Sequence, residues 1–209
     1  MNRPVNKTIF AYVLCLIFIV ISTVRMADSL AIEDPTSSID TTKYEERSKD
    51  MALIIKSPAF ENEKKIPVRY SCDGESVSPP LLWEGIPDSA RSLVLISDDP
   101  DAPMGTWVHW VVYDIPPTIT EFPENIPPVK DLAGLKEQNL GGKQGKNSGG
   151  KIGYYPPCPP SGTHRYFFKL YALDTVLDIE PGATKNEILQ AMNGHVIAEA
   201  QLMGLYSRK

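Results

Sequence analysis

Three histidines and one acidic turn hold most of the reactive side chains of this chain. Residues 98–103 read Asp98-Asp99-Pro100-Asp101-Ala102-Pro103, three carboxylates set among two prolines. The pyrrolidine rings fix φ, so the turn is stiff. Asp and Pro are also ordinary turn formers, and that reading accounts for the segment equally well. His109 follows on an aromatic, β-branched run, and His164 follows the proline-rich stretch 154–162 with Tyr166 two residues on. Imidazole and phenol groups can donate to phosphate, sulfate or carboxylate oxygens, and imidazole with carboxylate can ligate zinc. His195 sits where helical periodicity is expected and reads as a helix-face residue with a polar tip.

Patterns that would make these residues catalytic are absent. No H-x-x-x-H or H-E-x-x-H spacing exists for a zinc site. Ser161, His164 and Asp99 supply the residue types of a triad, but no G-x-S-x-G elbow presents the serine. Residues 132–153 are rich in glycine, yet a phosphate-binding loop at Gly145-Lys146 would need glycine where Leu140 stands and Ser or Thr where Asn147 stands. That stretch reads as a mobile surface loop with some basic charge. Binding rather than turnover is expected, with no catalytic residue, no metal and no cofactor.

The elements around these residues are expected to be mostly strands. Nineteen prolines spread along 209 residues suit short strands and many turns. Runs at 92–98, 107–114 and 166–174 are apolar, aromatic and β-branched. In the last, Phe168, Leu170 and Ala172 share one face, and Phe167, Lys169 and Tyr171 the other. Several such runs divided by proline-rich turns predict a sandwich or barrel. Near the end, Thr184 and Glu187 form a capping box. Ile188, Met192, Val196, Ala200 and Met203 then recur at helical spacing, predicting a helix that ends at Gly204.

The first residues belong to a different regime. Arg3 and Lys7 precede an apolar run over 9–24, and Ser29-Leu30-Ala31 offers a small-x-small cleavage site. Residues 1–31 therefore read as a secretory signal peptide or an uncleaved membrane anchor. Residues 32–50 are polar and lack an apolar period, as in a linker, and the domain is expected over 51–209. Export leaves Cys72 and Cys158, either bridged or as two buried thiols. An oxidising compartment favours the bridge. The net charge of −5 argues against bulk electrostatic binding of nucleic acid and requires any anion site to be local.

The segments SDDPDAPMGTWVHWVVYDIP and CPPSGTHRYFFKLYALD resemble the two signature regions of the phosphatidylethanolamine-binding family, which includes the Raf kinase inhibitor proteins. YSCDGESVSPPLLWEGIP and GHVIAEAQLMGLY resemble its bacterial and archaeal branch. The resemblance implies a mostly β fold, an antiparallel β-sandwich of two sheets with a C-terminal α-helix and a small pocket at one end. It places Asp99 and Asp101 in the acidic turn that shapes the pocket, His109 on the central strand, and Pro160, His164 and Tyr166 on the opposite wall. Tyr206 matches a tyrosine that closes the pocket in some relatives. Two positions depart from the branch. The loop 141–153 lacks an aromatic expected near Gly149, and Tyr155-Pro156 stands where glycine is usual.

A carboxylate beside a histidine favours the protonated ring, and one facing an anion repels it. Asp99 and Asp101 are therefore expected to orient the histidines and the turn. The implied ligand is a small anion or a phospholipid head group, bound more weakly as pH rises through the histidine titration. A protein partner, a protease or a kinase contacted through loops, is the alternative. Membrane contact is expected only through an uncleaved N-terminal segment.

Overall fold

The computed structural model describes residues 52–135 and 139–208. The expected export segment and linker lie outside the described residues. Nine strands and one α-helix are defined among the described residues. They are β1 (Ile54–Lys56), β2 (Lys64–Lys65), β3 (Leu81–Glu84), β4 (Ser92–Asp99), β5 (Trp107–Ile115), β6 (Glu121–Phe122), β7 (Lys143–Gln144), β8 (Thr163–Leu173), α1 (Lys185–Ala191) and β9 (Val196–Ser207). Two sheets form, one of order β1-β3-β6 and one of order β2-β9-β8-β4-β5-β7. All pairings between these strands are antiparallel except the two-residue contact of β2 with β9.

β8 alternates as its sequence predicts, with His164, Tyr166, Phe168, Leu170 and Ala172 buried on one face. Phe168 and Leu170 join Leu93, Leu95, Trp110 and Val112 in the core between the sheets. β4 is buried at all eight positions. Its other face, with Val94 and Ile96, packs with Val111 and Tyr113 of β5 against Ile188 and Met192 of the α1 segment. A strand covered on both sides reads as a continuous apolar run rather than an alternating one.

The helix is shorter than its periodicity predicts. The capping box is present, with Glu187 N–H donating to Thr184 Oγ1 and Thr184 N–H to Glu187. Gly194 then adopts φ 82°, the left-handed conformation that ends helices cheaply. His195 therefore lies in a turn rather than on a helix, exposed, with its Nδ1 2.8 Å from Asp174 Oδ1. Val196, Ala200 and Met203 belong to β9, which pairs with β8 along that strand's whole length. A period of two runs beneath the helical one, because Leu202, Gly204 and Tyr206 are the buried positions. Pairing along all of β8 overrides a weak helical signal.

The glycine-rich segment is built into the domain in its described part. β7 pairs with β5, and Leu132, Leu140, Gln144 and Asn147 are buried. Among the described residues, no helix is long and apolar enough to cross a membrane.

Candidate functional site

β8, β4 and β5 are neighbours, and one end of the three gathers the side chains singled out by sequence. The strand pairing is interrupted at this end. Ser97 pairs with Trp110, but Asp98 pairs with Val108. His109 is the extra residue of a β-bulge, a device that re-aims a side chain. Trp110 remains in the core while His109 turns into a cleft.

That cleft has a volume of about 220 Å³. Asp99, His109, Pro160, His164 and Tyr166 all line it, as do Trp107 and Tyr155. The rings pack edge to face and in stacks. His109 and Tyr166 have centroids 5.1 Å apart, and His164 and Tyr166 6.5 Å.

Neighbouring residues of a strand point to opposite faces, and this separates the three carboxylates. Asp99 faces the cleft, where His164 Nδ1–H donates to its Oδ2 at 2.7 Å. Its Oδ1 accepts from the Asp101 N–H at 2.8 Å, closing the turn on itself. Asp98 points to the other side and binds Lys169 at 3.0 Å together with Lys185. Asp101 does not line the cleft. Its carboxylate accepts from the backbone N–H and Nε of Arg165, each at 2.9 Å, and from Nη2 at 2.6 Å. The acidic turn is thereby fastened to β8.

Arg165 holds the Asp101 carboxyl at about 2, below its ordinary 3.8. A pKa depressed in the folded state gives stability that is complete above the unfolded value and is lost as pH falls through the folded one. Wild-type stability is therefore expected to decline as pH falls from 3.8 to about 2, and Asp101→Asn to flatten that decline. Urea midpoints at a series of acid pH values measure it. Equal slopes for the two proteins would overturn it.

His109 differs from the sequence expectation. Its partner is a carbonyl, not a carboxylate. Nδ1–H donates to Tyr155 O at 2.7 Å, and the Tyr155 N–H donates back to His109 O at 2.7 Å. Burial lowers its pKa, opposed by the Tyr155 carbonyl and the charges of Asp99 and Asp98. Pairing with a carboxylate describes the geometry of His164 and not of His109.

Two donors in this wall lack partners. The Tyr166 O–H and the Trp107 Nε1–H are buried without a hydrogen bond. Burial, then the charges of Asp99 and Asp101, push the Tyr166 pKa up, so it keeps its proton.

Tyr155 is a wall residue that motif matching does not find. Its ring packs on Gly149, where an added Cβ would lie 3.2 Å from Tyr155 Cε2. The two departures from the branch, near Gly149 and at Tyr155, thus meet in space, a proximity visible only after folding. Tyr206 is not a lining residue of this cleft. Its O–H donates to Asp73 Oδ2 at 2.8 Å. Ser161 is exposed and does not line the cleft, so the Asp99–His164 pair lacks a serine. Among the described residues, no group of three or more His, Cys, Asp or Glu is arranged to hold a metal ion. Cys72 and Cys158 are bridged, and Cys158 lines the cleft.

The family model for phosphatidylethanolamine-binding protein matches residues 56–207. The chain belongs to the phosphatidylethanolamine-binding protein family. A UPF0098 protein of Methanothermobacter thermautotrophicus is 56% identical over 156 residues, spanning 75% of this chain and 99% of that protein. Among solved structures, a phosphatidylethanolamine-binding protein homolog from Chlamydia trachomatis is 44% identical with a TM-score of 0.68. The match covers 76% of this chain and 99% of that one. Escherichia coli YbcL, described as a member of the mammalian family, is 29% identical with a TM-score of 0.67 and covers 76% of this chain and 100% of its own. Family membership accounts for the two packed sheets and for the position of both signature segments within them.

Proposed function

We propose that this protein is a non-enzymatic binding protein whose cleft holds a small anion, a phosphate or a phospholipid head group. One observation carries the reading: His109 and His164, from separate strands, converge on one small cleft with the Tyr166 ring packed against both. Asp99 positions His164, Asp101 fastens the turn, and Pro160 shapes the rim. Residues 1–31 direct the chain out of the cytoplasm, as a cleaved signal or as an anchor.

Calorimetric titration of the full chain with phosphorylethanolamine and with inorganic phosphate tests this. Saturable binding is expected in the wild type, weakened about tenfold or more in His164→Ala and in His109→Ala, the factor for one lost hydrogen bond to a charged group. No saturable binding to folded wild-type protein would overturn the reading.

A second reading has one observation in its favour. Met104 is 99% exposed at the tip of the turn whose Ala102 and Pro103 line the cleft. A partner protein, an exported or envelope protease rather than a cytosolic kinase, would meet that side chain first. Met104→Glu would then abolish inhibition while leaving phosphate binding intact.

A further inference from the structure

Which anion the cleft prefers depends on what its polar atoms can offer. An imidazole has two nitrogens, and the proton on one decides what the other does. At His109 the choice is made by Tyr155. Its carbonyl oxygen accepts from Nδ1 at 2.7 Å, and a carbonyl can only accept, so Nδ1 carries the proton. Nε2 of the neutral ring is then a lone pair, and it is the ring's only polar atom left for the cleft that His109 lines.

The bulge and the reciprocal bond from the Tyr155 N–H to the His109 carbonyl hold the ring against the Tyr155 carbonyl. The charged and titratable groups acting on His109 are Asp99 and Asp98 on β4 and His164 on β8. Asp98 is spent on Lys169 and Lys185, and Asp99 on His164 and the turn. Tyr166 and Tyr155 add aromatic edges against the ring.

We propose that His109 presents an acceptor to the bound anion and thereby selects oxyanions that carry a proton, hydrogen phosphate and phosphomonoesters, over phosphodiesters and sulfonates. The inference rests on reading the cleft as an anion site. A bare oxyanion presents only lone pairs and would meet the Nε2 lone pair unfavourably. A monoprotonated phosphate donates its P–O–H to Nε2 and turns its other oxygens away from that lone pair. A phosphodiester has no such hydrogen. An intact phospholipid head group is therefore a poorer match, through its phosphate, than a free phosphomonoester.

The test uses isosteric probes of equal charge. At about pH 5, roughly one unit below the second pKa of a phosphate group, methylphosphonate is largely a monoanion bearing one O–H, while methanesulfonate is a monoanion bearing none. Calorimetry on the full chain is expected to show methylphosphonate bound about tenfold or more tighter than methanesulfonate. Methyl phosphate should exceed dimethyl phosphate by a similar factor. In His109→Gln, whose amide can rotate to donate, the two ratios should fall to near unity while binding persists.

Equal affinities within each pair in the wild type would overturn the inference and leave the anion site standing. No binding of any probe to the folded chain would overturn both.

Discussion

Replacing Cys72 and Cys158 together by alanine is expected to lower stability by about 4.5 kcal/mol, the chain-entropy value for a loop of this size. The bridge spans 86 residues of sequence. It joins the segment after the short 3₁₀ turn Val68–Tyr70 to the proline-rich wall of the cleft. A direct backbone bond, from the Cys72 N–H to Pro157 O at 3.0 Å, reinforces the same junction. Without the bridge the unfolded chain regains the freedom of that loop. The wall that carries Tyr155, Pro159 and Pro160 also loses its covalent tie, so phosphate affinity should fall along with stability. Urea unfolding of the double variant beside oxidised wild type measures the first effect, and calorimetry the second. A loss below about 1 kcal/mol would overturn this and mean that the unfolded chain is already restrained across the loop without the bridge.

Gln144→Leu is expected to cost about 3 kcal/mol, although it replaces a polar residue by an apolar one of similar size in a buried place. Gln144 is fully buried, and its amide is used completely. Oε1 accepts from Trp110 Nε1–H at 2.7 Å. Nε2 donates to Pro127 O at 2.8 Å and to Val129 O at 2.7 Å. Leucine would leave the buried indole N–H without a partner, worth about 1–3 kcal/mol, and would remove the half-buried hydrogen bond to the exposed Val129. Trp110 lies next to His109, so loosening the indole should also disturb the bulge that aims the imidazole. The expected result is a lowered urea midpoint with an unchanged slope, followed by tryptophan fluorescence. An unchanged midpoint would mean that water or a shifted loop satisfies both groups.

Strands whose two faces differ in polarity were legible in advance. The alternation of β8 appears in its residue order, because a strand with one buried face must repeat every second residue. The Thr184–Glu187 capping box was equally legible, since it is a local exchange of hydrogen bonds within four residues. The C-terminal helix was misjudged in length because Val196, Ala200 and Met203 satisfy a helical period by coincidence. Only the presence of β8 alongside decides in favour of a strand. The glycine-rich stretch read as a mobile loop, since nothing local shows that Gln144 will find an indole and two carbonyls from distant segments.

Taken alone, the sequence determined the family, the mostly β class, the two signature segments and the residue types that meet at the cleft. These depend on short-range patterns of polarity, proline and motif spacing. Tertiary structure decided which partner each of those residues takes. It sent Asp98, Asp99 and Asp101 in three directions, gave His109 a carbonyl in place of a carboxylate, and set Tyr155 over Gly149. The reason is physical. A hydrogen bond is made across 2.7 Å of space, and residues 46 and 65 positions apart in the chain reach that distance only once the strands have paired.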